Sequence, residues 1–191
     1  MLWNEFYEKM IMEPRAALVR ALDYFSKHPP INRAAYDLGC GNGRDSNALL
    51  SAGWNVTAVD SEPAAEVYLK RNIDKELYKN LDFVCKSFDE IDWKTVYLIN
   101  SSYSLPFCNK ESFRDVMNSI ANSISPGGLF TGNLFGDRDE WKDKSLVTKQ
   151  EVFEIFSGFD ILFFEESETD GPTAIGTDKH WHIFEITALK I

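Results

Sequence analysis

Gly39, Gly41 and Gly43 alternate in the run Tyr36-Asp37-Leu38-Gly39-Cys40-Gly41-Asn42-Gly43-Arg44, where a short apolar stretch hands over to a helix-forming one. Glycine has no Cβ, so the chain can turn tightly there and a ligand can lie against bare main chain. The amides that open the following helix favour an anionic group, such as the carboxylate of an amino-acid moiety. A strand ending in such a turn points to an α/β fold, whose ligands bind at the carboxyl ends of the strands.

The rest of the chain keeps that alternation. Strands are predicted at Ala34 to Leu38, Val56 to Val59, Leu81 to Cys85, Val96 to Ile99 and Leu129 to Phe135. Between them run helices from about Gly43 to Ala52, from Pro63 to about Ile73, and through the apolar face Phe113, Val116, Met117, Ile120 and Ile124, which stops at Pro126-Gly127-Gly128. Thr148 and Glu151 have capping-box spacing and open a last helix that closes near Gly158. Ile161 to Phe164 and Trp181 to Leu189, joined by a polar segment, read as an antiparallel pair. Upstream, Trp3, Phe6, Tyr7 and Met10, then Leu18, Ala21, Leu22 and Phe25, recur at helical spacing on either side of Pro14, giving two short helices or one kinked helix. His28-Pro29-Pro30 ends helix growth. The expectation is a doubly wound, mainly parallel sheet with helices on both faces.

At 191 residues the chain fits a single domain, residues 1–191, because a core of this size buries roughly 70% of the unfolded surface without staples. A formal charge of −10 with no cluster of Lys and Arg weighs against nucleic acid as partner, since phosphate binding draws its affinity from such clusters. No run approaches the ~18 apolar residues of a membrane span, and Met1-Leu2-Trp3-Asn4-Glu5 lacks a basic region followed by an apolar one, so a cytoplasmic location is expected. Cys40, Cys85 and Cys108 are odd in number and lack CxxC spacing, which suggests neither a disulfide framework nor a metal.

Dinucleotide-binding folds use G-x-G-x-x-G, and counting from Gly39 and Gly41 puts Arg44 where the third glycine belongs, which weakens a nicotinamide reading. Asp60 ends the second strand, where a carboxylate can accept hydrogen bonds from both ribose hydroxyls. Together, Asp37-Leu38-Gly39-Cys40-Gly41-Asn42-Gly43 and Asp60 resemble the cofactor site of class I S-adenosylmethionine-dependent methyltransferases. The likeness covers residues 33 to 191, and Gly41-Asn42-Gly43-Arg44-Asp45-Ser46 is similar to the tellurite-resistance type of small-molecule methyltransferase. It implies a Rossmann-like core over residues 31–191 with seven strands in the order 3-2-1-4-5-7-6, the last antiparallel, and a helical lid over residues 1–30. It further implies S-adenosylmethionine as cofactor, with the methionine part against Gly39 to Gly43 and Arg44 and the ribose on Asp60 beside Ser61. Ser87 and Phe88 would flank the adenine, whose amino group is met by Ser87, Asp89 or water. Asn100 and Ser101 would complete the cofactor side.

For the acceptor, the resemblance points to the loops after the fourth and fifth strands. Asn100-Ser101-Ser102-Tyr103 has the spacing of the Asn-Pro-Pro-Tyr motif of amino-group methyltransferases, and its two serines weigh against N-methylation of a base or glutamine. Arg138, in Gly136-Asp137-Arg138-Asp139-Glu140-Trp141, is a candidate for an anionic substrate, with a solvated loop as the alternative. His180 and His182 share one face of a strand, and two histidines without a third ligand do not mark a metal. Trp3, Tyr7, Tyr103, Arg138 and His180 are the acceptor-pocket candidates, and Tyr103 and His182 the candidates for accepting a proton. Methyl transfer from a sulfonium mainly needs alignment and exclusion of water, so no base is required. The leading expectation is a small-molecule methyltransferase; a protein or RNA methyltransferase and a non-catalytic S-adenosylmethionine-binding module are the rivals. Oligomeric state is not legible.

Overall fold

The computed structural model describes residues 3, 7, 8, 11–173 and 175–191. Helix α1 (Ala16–Lys27) precedes β1 (Ala34–Leu38), α2 (Arg44–Ser51), β2 (Asn55–Asp60), α3 (Ala64–Asn72), β3 (Leu81–Cys85) and β4 (Val96–Ser101). Then come α4 (Phe113–Ser123), β5 (Ile124–Gly136), β6 (Leu146–Val147), α5 (Lys149–Ile155), β7 (Phe159–Pro172) and β8 (Asp178–Lys190).

The sheet runs β3-β2-β1-β4-β5-β8-β7, with the two-residue β6 pairing the tip of β5. This is the expected order with one short strand added before the closing pair. Strands β1 to β5 are parallel, and β8 is antiparallel to both β5 and β7. Strand alternation divides the core between the two faces. Ala35, Leu98 and Leu129 pack with Leu18, Leu49 and Leu69 of α1, α2 and α3. Their neighbours Tyr36, Ile99 and Phe130 pack with Val116 and Ile120 of α4 and Val152 of α5.

Local chemistry explains most boundaries. Thr148 accepts from the Glu151 amide while Glu151 accepts from the Thr148 amide at 2.7 Å, closing the expected capping box at the start of α5. Strands β7 and β8 are much longer than the apolar runs that announced them. Glu165 to Asp170 read as a polar connection, yet they form the outer strand, whose side chains meet solvent while its backbone pairs with β8 as far as Pro172 and Asp178. Trp3, Tyr7 and Glu8 have helical backbone. Phe6 and Met10, expected on the same helix, lie outside the described residues, as do Met1, Leu2, Asn4 and Glu5. Among the described residues, no helix is long and apolar enough to cross a membrane.

Candidate active site

Sheet order reverses between β1 and β4, so the loops leaving these strands part and a crevice opens at their carboxyl ends. One wall is the glycine turn. Gly39, Gly41 and Gly43 have φ of 68°, 52° and 84°, a region that side-chain-bearing residues seldom adopt. Gly39 is needed for space as well: a Cβ there would come within 2.2 Å of the Ser104 Cβ. Ser104 in turn donates to the Leu38 carbonyl at 2.5 Å, which fastens the loop after β4 onto the turn after β1.

Opposite the turn stands Asp60. Its Oδ2 accepts from the Gly41 amide at 2.9 Å, and Oδ1 accepts from the Glu62 amide at 3.0 Å and the Tyr7 hydroxyl at 3.3 Å. Burial raises its pKa, against the pull of these donors. Burial, then the negative charge of Asp60, drives the Tyr7 hydroxyl upward as well, so that it stays a donor.

Beneath the crevice floor lies a buried polar lattice. The β1–β4 register places Asp37 beside Asn100, whose Nδ2 donates to Asp37 at 2.8 Å and to Asp45 at 3.2 Å. Ser46 donates to Asp37 at 2.6 Å, and Ser102 donates to Asp45 at 2.7 Å. Asp45 also accepts from the Arg15 amide and from Arg44 Nε, at 3.0 and 3.3 Å. Burial, then repulsion by Asp45, pushes the Asp37 carboxyl up to about 7.

The crevice is a cavity of about 930 Å³ with two chemically distinct ends. Gly39, Gly41, Arg44, Asp60, Ser61, Ser87, Phe88 and Asp89 line the end over β1 to β3. Over β4, β5 and β8 the lining is aromatic: Trp3, Tyr103, Phe107, Phe135, Trp141 and Trp181. The Phe135, Trp141 and Trp181 rings meet with centroids 5.7 to 6.2 Å apart. The Lys179 ammonium, 3.9 Å from the Trp141 and Trp181 centroids and 4.8 Å from that of Phe135, pairs with Asp139.

Residues 35–128 match a family model described as a methyltransferase domain. A curated relative, the cypemycin N-terminal methyltransferase of a Streptomyces species, is 32% identical over 123 residues, which are 62% of this chain and 47% of that one. The solved structure of TehB from Haemophilus influenzae superposes with a TM-score of 0.74 at 20% identity, covering 91% of this chain and 62% of that one. The Burkholderia thailandensis 1,6-didemethyltoxoflavin-N1-methyltransferase, solved with 1,6-didemethyltoxoflavin and S-adenosylhomocysteine, gives 0.65 at 22% identity over 92% of this chain and 78% of that one. The chain resembles class I methyltransferases, in sequence over residues 35–128 and in fold over most of its length. It spans about half the length of the curated relatives it matches.

On this fold the expected site residues fall into three groups. Gly39, Gly41, Arg44, Asp60, Ser61, Ser87, Phe88, Trp3, Tyr7 and Tyr103 meet at the cavity. Asp37, Cys40, Asn42, Gly43, Asn100 and Ser101 are not among its lining residues, and all six are buried. Gly43 has a packing role, since a Cβ there would stand 3.1 Å from the Leu69 Cα of α3. Close helix contact, which dinucleotide folds assign to a third glycine, is thus met one position before Arg44.

Arg138, His180 and His182 form the third group and stand off the cavity. The two histidines do share a face of β8, but Trp181 and Ile183 occupy the cavity face, so strand alternation turns His180 and His182 away. His182 is fully buried, with Nε2 3.2 Å from Glu166 and 3.0 Å from Arg138. His180 lies between Asp170 and Glu168 at 2.7 and 3.0 Å. Arg138 is spent on Glu166 and Glu168 at 2.9 and 2.8 Å on the outer surface. Conversely, Arg15, Phe107, Phe135 and Trp181 line the cavity without having been singled out, and Trp141 lines it at the end of the run that was quoted for Arg138. The dense aromatic content, 14% of residues, was their one trace in the sequence.

Ser87 is engaged locally: its hydroxyl and its amide both donate to the Glu90 carboxylate, at 2.7 and 3.2 Å, across the turn that carries Phe88 and Asp89. Tyr103 is the one non-glycine residue with positive φ among the described residues, at 58°. Such backbone costs on the order of 1–3 kcal/mol and persists where surroundings over-determine it. Here the Arg15 guanidinium sits 4.8 Å over its ring, and Phe135 and Trp181 flank it.

Proposed function

We propose that this chain transfers the methyl group of S-adenosylmethionine to a small-molecule acceptor. The observation that carries the reading is the pairing of the Gly41 amide with the Asp60 carboxylate at 2.9 Å, at one end of a cavity that continues to a second, aromatic end. When bound, the cofactor supplies an activated methyl on a positively charged sulfur. The donor set suits it. Asp60 accepts from the Gly41, Glu62 and Ser61 backbone and, at the longest distance of 3.3 Å, from the Tyr7 hydroxyl, which is the bond a ribose diol would take over. Arg44, and Arg15 across from it, are suited to an amino-acid carboxylate. Phe88 and Asp89 are suited to a ring and its amino group.

The chain's own contribution is to hold both partners in line and keep water out. The volume lies at the upper end of the roughly 300–1,000 Å³ of small-molecule sites, which favours two modest ligands side by side over a macromolecular surface. A net charge of −10 favours the same choice over RNA. Tyr103 keeps its place as a candidate proton acceptor, since its ring borders the cavity; His182 does not. Calorimetry with S-adenosylhomocysteine, followed by assay of a metabolite panel for its formation from S-adenosylmethionine, tests the reading. Binding and turnover of a metabolite are expected. Binding without methylation of any metabolite or extract fraction favours a sensing module, and methylation confined to protein or RNA fractions moves the acceptor to a macromolecule.

A further inference from the structure

We infer that the acceptor is a flat ring system, neutral or anionic, and not a protonated amine or an extended peptide; the inference rests on the methyl-transfer reading of the same cavity. Three observations lead there. The end of the cavity over β4, β5 and β8 presents Tyr103, Phe107, Phe135, Trp141 and Trp181, joined by Trp3, whose ring meets Phe107 at 5.3 Å. Broad rigid faces of this kind favour a planar ligand, since offset and edge-to-face ring contacts add to burial only when the partner is itself aromatic.

The second observation concerns charge. Aromatic walls can equally well hold a cationic amine, because the ring faces carry negative potential. Here that capacity is already used. Lys179, with its side chain only 1% exposed and not among the lining residues, sets its ammonium against the Phe135, Trp141 and Trp181 rings and so engages their π density itself. The carboxylates on the cavity lining, Asp60 and Asp89, belong to the other end, so an ammonium ligand would find neither a π face at full strength nor a counter-ion.

The third is rigidity. Asp139 pairs with Lys179 and also accepts from the Trp141 amide at 3.0 Å and the His182 amide at 3.1 Å. One buried carboxylate thereby fixes the loop after β5 against the start of β8. The spacing of Trp141 and Trp181 is set before any ligand arrives, as suits a ligand of fixed thickness more than a flexible chain.

The test uses the full chain saturated with S-adenosylhomocysteine and titrated with four probes, followed by tryptophan fluorescence and calorimetry. These are 2-naphthol, its saturated counterpart decahydro-2-naphthol, 2-naphthylmethylammonium and a dialanine amide. 2-Naphthol is expected to bind about tenfold tighter than the saturated alcohol and the ammonium, with the dipeptide weakest. Trp181→Leu should erase the preference for the flat alcohol, and Trp181→Phe should keep it. Lys179→Met combined with Asp139→Asn should raise the affinity for the ammonium at least about threefold by freeing the ring faces. Equal binding of the flat and saturated alcohols, tightest binding of the ammonium or dipeptide, or no probe binding overturns the inference. If S-adenosylhomocysteine itself does not bind, the methyl-transfer reading falls, and the same ranking on the protein without it still decides the nature of the aromatic end.

Discussion

Gly39 and Ser104 touch so closely that the turn after β1 and the loop after β4 form one unit: a Cβ on residue 39 would lie 2.2 Å from the Cβ of Ser104 and 2.7 Å from its hydroxyl. Gly39→Ala therefore meets both this overlap and a φ of 68°. Overpacking costs roughly 1–3 kcal/mol and left-handed backbone roughly 1–2 kcal/mol, so a loss of about 2–5 kcal/mol is expected. At about 2–4 °C per kcal/mol for a chain of this size, thermal unfolding should drop by roughly 4–20 °C. An unchanged midpoint would show that the two loops part readily.

Asp60→Ala removes the acceptor of the Gly41 amide and the group proposed to hold the ribose. Charge-assisted bonds are worth about 1.5–3 kcal/mol, so affinity for S-adenosylhomocysteine should fall roughly 10- to 100-fold by calorimetry. Retention of wild-type affinity would take Asp60 out of the cofactor site.

Lys179→Met should be costly in a way that a second change repairs. With Lys179 gone, Asp139, which is 0% exposed, keeps its charge without a cation, a defect of about 3–5 kcal/mol. Adding Asp139→Asn removes that charge while its side-chain oxygen can still accept from the Trp141 amide, so most of the loss should be regained. Denaturant unfolding of the three proteins measures this, and a double variant as weak as the single one would contradict it.

The Asp37 carboxyl gives a pH dependence of definite sign. Its folded pKa, about 7, exceeds the ordinary 3.8, so folding takes up a proton. The associated stability is present in full below about pH 4 and is lost as pH rises towards 7. Asp37→Asn should flatten this slope: the melting difference between pH 5 and pH 8 should shrink relative to wild type, and equal slopes in both proteins would argue against the raised pKa.

The end of the cavity over β1 to β3 was legible in sequence because its logic is local. A strand, a glycine turn and a carboxylate at the tip of the next strand each depend on residues near in the chain, and Gly39, Gly41 and Asp60 meet at the cavity. Of the aromatic end, Trp3 and Tyr103 were named from sequence, but Phe107, Phe135 and Trp181 were not, because they lie far apart in the chain and become neighbours only through tertiary packing, including the pairing of β5 with β8. His180 and His182 show the limit of periodicity, which gives residues that share a face but not the side to which that face turns. Polarity misled in β7, where an outer strand rich in glutamate reads as a loop.

Because β8 runs counter to β5, its opening residues stand at the tip of β5, with Phe135 opposite Ile183. Apart from Trp3, Tyr7 and Arg15, the two halves of one crevice are therefore written in different stretches of the chain, positions 39–89 for the half over β1 to β3 and positions 102–183 for the other. Substitutions in the later stretch can reshape the aromatic half while the glycine turn and Asp60 keep their geometry.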